Sequence, residues 1–439
     1  MATPIPLDSN ALSALLQERS LHELELFSDL TDEQLQGESM RDVERPIWEM
    51  GHVAWFQEYW ILRNLEQARP LMDGSDALYD STKLYSHERF DLAFPSRQAT
   101  LDYAAAVLDR CVARLASQTP TQALTPDEVY AYLLCILHED MHAETLTFIR
   151  QTLGYPRPGL STSRDGHPLA IDPDFAFHDV HLPGGVFCLG ADDPTAFVFD
   201  NEKWGHMVEV EPFSISATTV TNAEFLAFVE AGGYGMKGIW GKRGREWVRR
   251  NNVAHPRFWQ RGTDGQWCRS DFGKLLPLEP HHPVVHVNWY EANAYCNWAQ
   301  RRLPTEVEWE MAATPSTSTG AGKPTFPWGD SLPTVDQVNM DWTSMGCVDV
   351  RALAAGDTPE GCRQMIGNVW EWTADTFEAY PGFVVDPYAE YSEPSFGKKK
   401  VLRGGSWATR SLLARNTFRN FYMPFRNNIY AGFRTCSAT

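Results

Sequence analysis

Residues 125–153 read TPDEVYAYLLCILHEDMHAETLTFIRQTL. Thr125 is a helix cap, Pro126 lacks only an N–H that a first turn does not use, and Asp127 and Glu128 favour a helix start. The apolar turns from Tyr132 to Leu137 predict burial, and the helix is expected to end at about Leu153, before Gly154. Within it lies His138-Glu139-Asp140-Met141-His142-Ala143-Glu144. Histidines at i and i+4 lie one turn apart on one helix face, so both imidazoles can reach a single metal ion. The alternative is a helix surface with two solvated histidines, but a buried histidine needs a partner. The same residues also match the zinc-protease pattern H-E-x-x-H, which would make Glu139 a general base. Its extended form needs a third histidine six positions on, where Phe148 stands.

Three helices are expected before this one. Apolar residues recur at helical spacing in Leu12, Leu15 and Leu16 and again in Leu21 and Leu24. A second helix is predicted over Trp48–Leu65, with Pro46 near its first turn, and a third over Arg97–Leu115. Four long helices suggest a four-helix bundle. The second carries His52, flanked by rings in Trp48-Glu49-Met50-Gly51-His52-Val53-Ala54-Trp55-Phe56. Facing helices of a bundle are a usual place for a metal site; a core histidine bonded to a neighbour is the other reading. Gly51 would let another group approach closely. Asp140 and Glu144 are candidates to orient a ligand imidazole, or are solvated acids.

From Gly154 to about Asp174 the chain turns rich in Pro, Gly, Ser and Asp, as linkers do. The bundle is placed at 1–160, a linker at 161–176 and a second domain at 177–439. Short strands, glycine turns and scattered tryptophans fill the second domain. Helices are expected there at Asn222–Ala231, Trp289–Arg302 and Thr305–Ala313. The fold class is therefore α+β.

Composition narrows the function. With 38 Lys+Arg against 57 Asp+Glu in 439 residues, the net charge is −19, which disfavours a nucleic-acid partner. The run Lys398–Lys400 is expected to be a solvated loop. The longest apolar run, Val129–Leu137, is far short of the roughly 20 residues that span a bilayer, so no membrane association is expected. Met1–Ser20 shows no secretory pattern. The 8 cysteines are scattered, with no C-x-x-C pair, which fits free thiols in a reducing cytoplasm. Aromatic residues reach 12%, enough for ring-walled cores or pockets.

The second domain contains Pro183–Gly190, Val220–Phe225, His282–Trp289, Arg302–Glu310, Gly367-Asn368-Val369-Trp370-Glu371-Trp372, Leu402–Trp407 and Ala431–Arg434. These strings resemble the formylglycine-generating-enzyme (sulfatase-modifying factor) fold. The first domain, with one histidine on its second helix and H-x-x-x-H-x-E on its fourth, resembles the DinB-like fold. The pair is similar to the iron(II) sulfoxide synthases of ergothioneine biosynthesis and their selenoneine-forming relatives.

That resemblance implies that His52, His138 and His142 bind Fe(II), with O₂ as co-substrate. It implies hercynine as substrate and a selenosugar or a thiol as donor, joined at the imidazole C2 carbon. Asn420, Phe421 and Tyr422 match the segment that contacts substrate and donor. Tyr380 matches a tyrosine that delivers a proton or electron, and Arg89 lies in the region matching the donor loop. Ergothioneine members often carry an acid where Tyr422 stands and glutamine where Met141 stands, so the departures resemble the selenoneine branch more. Cysteines that bind copper in formylglycine-generating enzymes are missing from Ser406–Asn420, so oxidation of sulfatase cysteines is not expected. The competing readings are an ergothioneine-type sulfoxide synthase, a DinB-like zinc or nickel thiol transferase working without oxygen, and a binding scaffold.

Overall fold

The computed structural model describes residues 8–40, 42–83, 86–117, 123–164, 166, 169–193, 196–315 and 322–438. The first seven residues of the stretch read for a leader, and positions 165, 167 and 168 of the predicted linker, lie outside the described residues. The chain divides into two compact units. One runs to Ser161 and takes in Phe272–Lys274; the other comprises Thr162–Asp271 and the chain from Leu275 onward.

The first unit is a bundle of four long helices: α1 (Ser9–Phe27), α2 (Pro46–Gln57), α3 (Arg97–Ala116) and α4 (Pro126–Thr152). Both α1 and α2 pack against α3 and α4. Local chemistry sets the start of α4. Thr125 and Glu128 form a capping box, each side chain accepting from the other's backbone N–H, with Pro126 in the first turn. α2 continues as a π-helical segment, Glu58–Arg63, before one last helical turn. On α1 the buried stripe is Leu12, Leu16, Arg19, His22 and Leu26. Leu21 and Leu24 are instead 65% and 42% exposed. Leu21 stands five residues beyond Leu16, which at 3.6 residues per turn rotates it well off the buried face.

In the second unit one sheet joins β1 (Asp179–Leu182), β4 (Phe213–Ser216), β10 (Cys436–Ser437) and β5 (Arg301–Arg302), in that order; β2 (Gly185–Leu189) and β3 (His206–Val210) form a separate hairpin. A second sheet has the order β8 (Asn420–Tyr422), β7 (Lys400–Arg403), β6 (Trp370–Thr376), β9 (Ala431–Gly432). Its pairs are antiparallel except β6 with β9, which is parallel. The helices are α5 (Asn222–Glu230), α6 (Lys242–Asn251), α7 (Trp289–Trp298) and α8 (Glu306–Ala313).

Two expectations are corrected here. The helix foreseen over Trp289–Arg302 stops at Trp298. Gln300 takes a left-handed backbone (φ 55°), and Arg301 and Arg302 pair with Ser437 and Cys436 in the first sheet. The Lys398–Lys400 run is not simply a solvated loop. Lys400 starts β7, donates to the Ala374 carbonyl at 2.7 Å and lies over the Trp289 ring, and Lys399 lies over the Phe421 ring.

Three of the sequence strings meet in one buried knot. Arg434 grips Glu371 with two hydrogen bonds, Nε to Oε2 at 2.6 Å and Nη2 to Oε1 at 2.8 Å, and Trp309 Nε1 donates to the same carboxylate at 2.8 Å. All three side chains are fully buried, so pairing replaces the water each polar group has lost. The eight cysteines are free thiols. Among the described residues no helix is long and apolar enough to cross a membrane.

His286 makes this domain sensitive to acid. Burial, reinforced by Arg257, lowers its imidazole to about 3. An imidazole in the unfolded chain titrates near 6.5. The unfolded state therefore takes up a proton that the folded state refuses as pH falls from about 6.5 to about 3. Stability is lost over that window, by up to about 1.4 kcal/mol per pH unit. Unfolding midpoints measured from pH 7 to pH 4 are expected to fall less steeply for His286→Gln than for the natural chain.

Candidate metal centre

His52 lies on α2, and His138 and His142 one turn apart on α4; their candidate ligand nitrogens all fall within 4.8 Å of one another. The ring centroids stand 4.4 Å (His138–His142), 4.7 Å (His52–His142) and 5.1 Å (His52–His138) apart. His52 and His138 are buried and His142 partly so. Burial pushes the imidazoles of His52 and His138 well below their ordinary value, and the neighbouring His142 adds to this. Both rings are therefore neutral at physiological pH, the form that carries a lone pair for a metal.

The surroundings fix which nitrogen can bind. His52 Nδ1 lies 2.7 Å from the Tyr79 carbonyl oxygen. A carbonyl only accepts, so Nδ1 carries the proton and Nε2 the lone pair. His142 Nδ1 lies 2.5 Å from Glu49 Oε2, which orients the second ring in the same sense. Stacking holds the rings in place: Trp48 on His52 at 4.3 Å and Phe56 on His138 at 3.6 Å. Gly51 serves the same end. The Tyr79 ring fills the space where a Cβ on Gly51 would stand, and that approach brings the Tyr79 carbonyl to His52. Two buried neutral imidazoles and the partly buried ring of His142, clustered in one bundle, fit a divalent metal.

The supporting acids differ from expectation. Asp140 is buried and paired with Arg19 of α1, Nε to Oδ1 at 2.8 Å. Glu144 is buried rather than solvated. Glu49, which sequence reasoning missed, is the carboxylate that meets a ligand ring. Its signal was its place three residues before His52, which puts the two on one face of α2. Glu139 accepts from Gln57 Nε2 at 2.8 Å, and burial raises it to about 8.

The remaining candidates occupy defined places. Arg89 is buried in the first unit, its guanidinium 3.9 Å over Trp48, with Nη1 2.9 Å from Glu44. Trp48 is thus stacked on His52 by one face and covered by Arg89. Tyr380 belongs to the second unit, where its hydroxyl donates to Glu306 Oε1 at 3.3 Å and Arg419 covers its ring at 4.0 Å. Burial, helped by Glu306, lifts the Tyr380 phenol well above its ordinary value. Asn420, Phe421 and Tyr422 form β8, with the Phe421 ring stacked on Phe377 at 4.1 Å and Arg426 over Tyr422 at 5.3 Å.

Comparison with known proteins completes the picture. Residues 176–439 match the sulfatase-modifying factor enzyme 1-like domain, and residues 18–146 match the DinB superfamily. Over 396 residues the chain is 36% identical to the hercynine oxygenase of Mycobacterium tuberculosis, an alignment covering 88% of this chain and 89% of that one. The chain belongs to the hercynine oxygenase family. The hercynine oxygenase of Mycolicibacterium smegmatis is 35% identical over 399 residues, with 88% and 90% covered. The formylglycine-generating enzyme of Thermomonospora curvata is 32% identical over 295 residues, 59% of this chain and 92% of that one. Two-domain architecture thus unites this chain with the hercynine oxygenases, whereas the formylglycine-generating enzyme aligns with little more than half of it.

Proposed function

We propose that the chain is an O₂-dependent non-haem iron(II) enzyme that joins selenium, or sulfur, to the imidazole C2 carbon of hercynine, with a selenosugar as the donor. The observation that carries this reading is the buried cluster of His52, His138 and His142 in a chain that matches the hercynine oxygenases across both domains. Bound iron(II), with three neutral imidazoles and open positions, supplies the activation of O₂. The overall change balances with one O₂. The hydrogens on C2 and on the selenol or thiol leave with one oxygen atom as water. The other oxygen atom ends on selenium or sulfur.

The chain's own residues bind, orient and protonate. Tyr380 is the proposed proton source: its phenol, raised by burial and Glu306, stays protonated at neutral pH and carries its proton on Oη. Asn420 and Phe421 are proposed to contact hercynine, whose quaternary ammonium has no N–H to donate and is suited to ring faces. Tyr422 and Arg89 are proposed on the donor side. A tyrosine cannot pair with a donor ammonium as an acid can, but it can hydrogen-bond a sugar hydroxyl, which favours the selenosugar over a cysteine-type thiol.

The test is incubation of the anaerobically iron-loaded chain with hercynine, O₂ and either a selenosugar, cysteine or γ-glutamylcysteine. Hercynine is expected to be consumed with the selenosugar, at one O₂ per coupling. Consumption only with the thiols would transfer the reading to a sulfoxide synthase. No consumption with any donor would reject both.

A further inference from the structure

Glu49 is 1% exposed and sits in the first turn of α2. A carboxylate this buried is costly unless something compensates its charge. Among the described residues no lysine or arginine pairs with it; its Oε2 lies 2.5 Å from Nδ1 of His142. Its other oxygen, Oε1, is buried without a hydrogen-bond partner. The N-terminal end of α2 supplies part of a compensating charge. The one ring that meets the carboxylate belongs to the histidine cluster.

We infer that Glu49 is the charge-compensating and positioning residue of the metal centre, holding His142 through Nδ1–H and making it a stronger ligand than His52. This rests on the reading of the three histidines as a metal site. The two ligands whose outer nitrogen is accounted for are then unequal. The Nδ1–H of His52 points at a neutral peptide carbonyl, that of His142 at a carboxylate. A carboxylate behind an imidazole raises its basicity toward a metal. It also brings the charge of a divalent centre from +2 to +1, which one anionic thiolate or selenolate then cancels.

The test is anaerobic titration of the metal-free full chain with cobalt(II), whose visible bands report ligand strength. It compares the natural chain with Glu49→Gln and Glu49→Ala. Glu49→Ala is expected to weaken cobalt binding by about 10–100-fold and to shift the visible bands. Glu49→Gln, which keeps an acceptor but not the charge, is expected to fall between the two. Thermal unfolding of the metal-free proteins separates this role from a structural one. Removing an uncompensated buried charge should leave metal-free Glu49→Gln at least as stable as the metal-free natural chain. Cobalt affinity and bands of Glu49→Gln within twofold of the natural chain would overturn the inference. So would a metal-free stability that falls in step with affinity. Failure of the natural chain to bind cobalt(II) or iron(II) would instead overturn the metal reading, and this assignment with it.

Discussion

Replacing His138 by alanine is expected to abolish hercynine coupling while leaving the metal-free bundle folded. His138 is one of three nitrogens brought within 4.8 Å, and two remaining imidazoles cannot close the set. The loss of iron affinity should exceed the roughly 10–100-fold typical for partners that stand behind a ligand. The metal-free chain should tolerate the change well. A buried imidazole already costs solvation, and alanine removes that cost along with the stacking on Phe56. Iron content by elemental analysis, far-ultraviolet circular dichroism and hercynine consumption check the three parts. Full coupling by His138→Ala would move the chemistry away from the three-histidine cluster.

Replacing Gly51 by alanine is expected to be the more damaging change to the fold. Alanine normally strengthens a helix interior relative to glycine, by about 0.5–1 kcal/mol. Here the added methyl would stand 2.1 Å from Tyr79 Cε1 and 2.2 Å from Cζ. Tyr79 is fully buried, so its ring has no free space to move into. Overpacking of this kind costs about 1–3 kcal/mol or more, outweighing the helix gain. It also reaches the metal centre, because the residue displaced is the one whose carbonyl holds His52 Nδ1. Gly51→Ala should therefore lower both the unfolding midpoint and the metal affinity. A midpoint equal to or above that of the natural chain would show that the contact yields at no cost.

Local signals in the sequence were the reliable ones. The Thr125–Glu128 cap, the proline starts of α2 and α4, and the one-turn spacing of His138 and His142 each depend on neighbours a few residues away. What escaped depends on residues far apart in the chain. Glu49 meets His142 across 93 positions and Asp140 meets Arg19 across 121. No periodicity signals either contact. Leu21 and Leu24 mislead because leucines at roughly helical spacing look like core, although the buried face instead takes Arg19 and His22. Helix α6 went unseen because its sequence, KRGREWVRRN, is polar nearly all round. Only Gly244 and Val248 of α6 are buried, and Arg245 ties it down through the carbonyls of Tyr234 and Met236. Arg301 and Arg302 look helical by continuation from α7, and only their partners on β10 make them a strand.

The seven quoted strings of the second domain identified its fold because several meet in space. Glu371, Arg434 and Trp309 come from three separate strings and share one buried carboxylate. Such residues hold the domain together, and a fold can be read from them more directly than a substrate. The positions proposed for the donor side, Tyr422 and Arg89, lie outside those strings.

The central claim is that His52, His138 and His142 together hold one ferrous ion. X-ray absorption at the iron edge, on the chain loaded anaerobically with one equivalent of iron(II), tests it most directly. The account predicts retained iron whose spectrum shows the multiple scattering of about three imidazole rings, diminished in His142→Ala. Iron that washes out of the natural chain, or a shell without imidazole scattering, would contradict it.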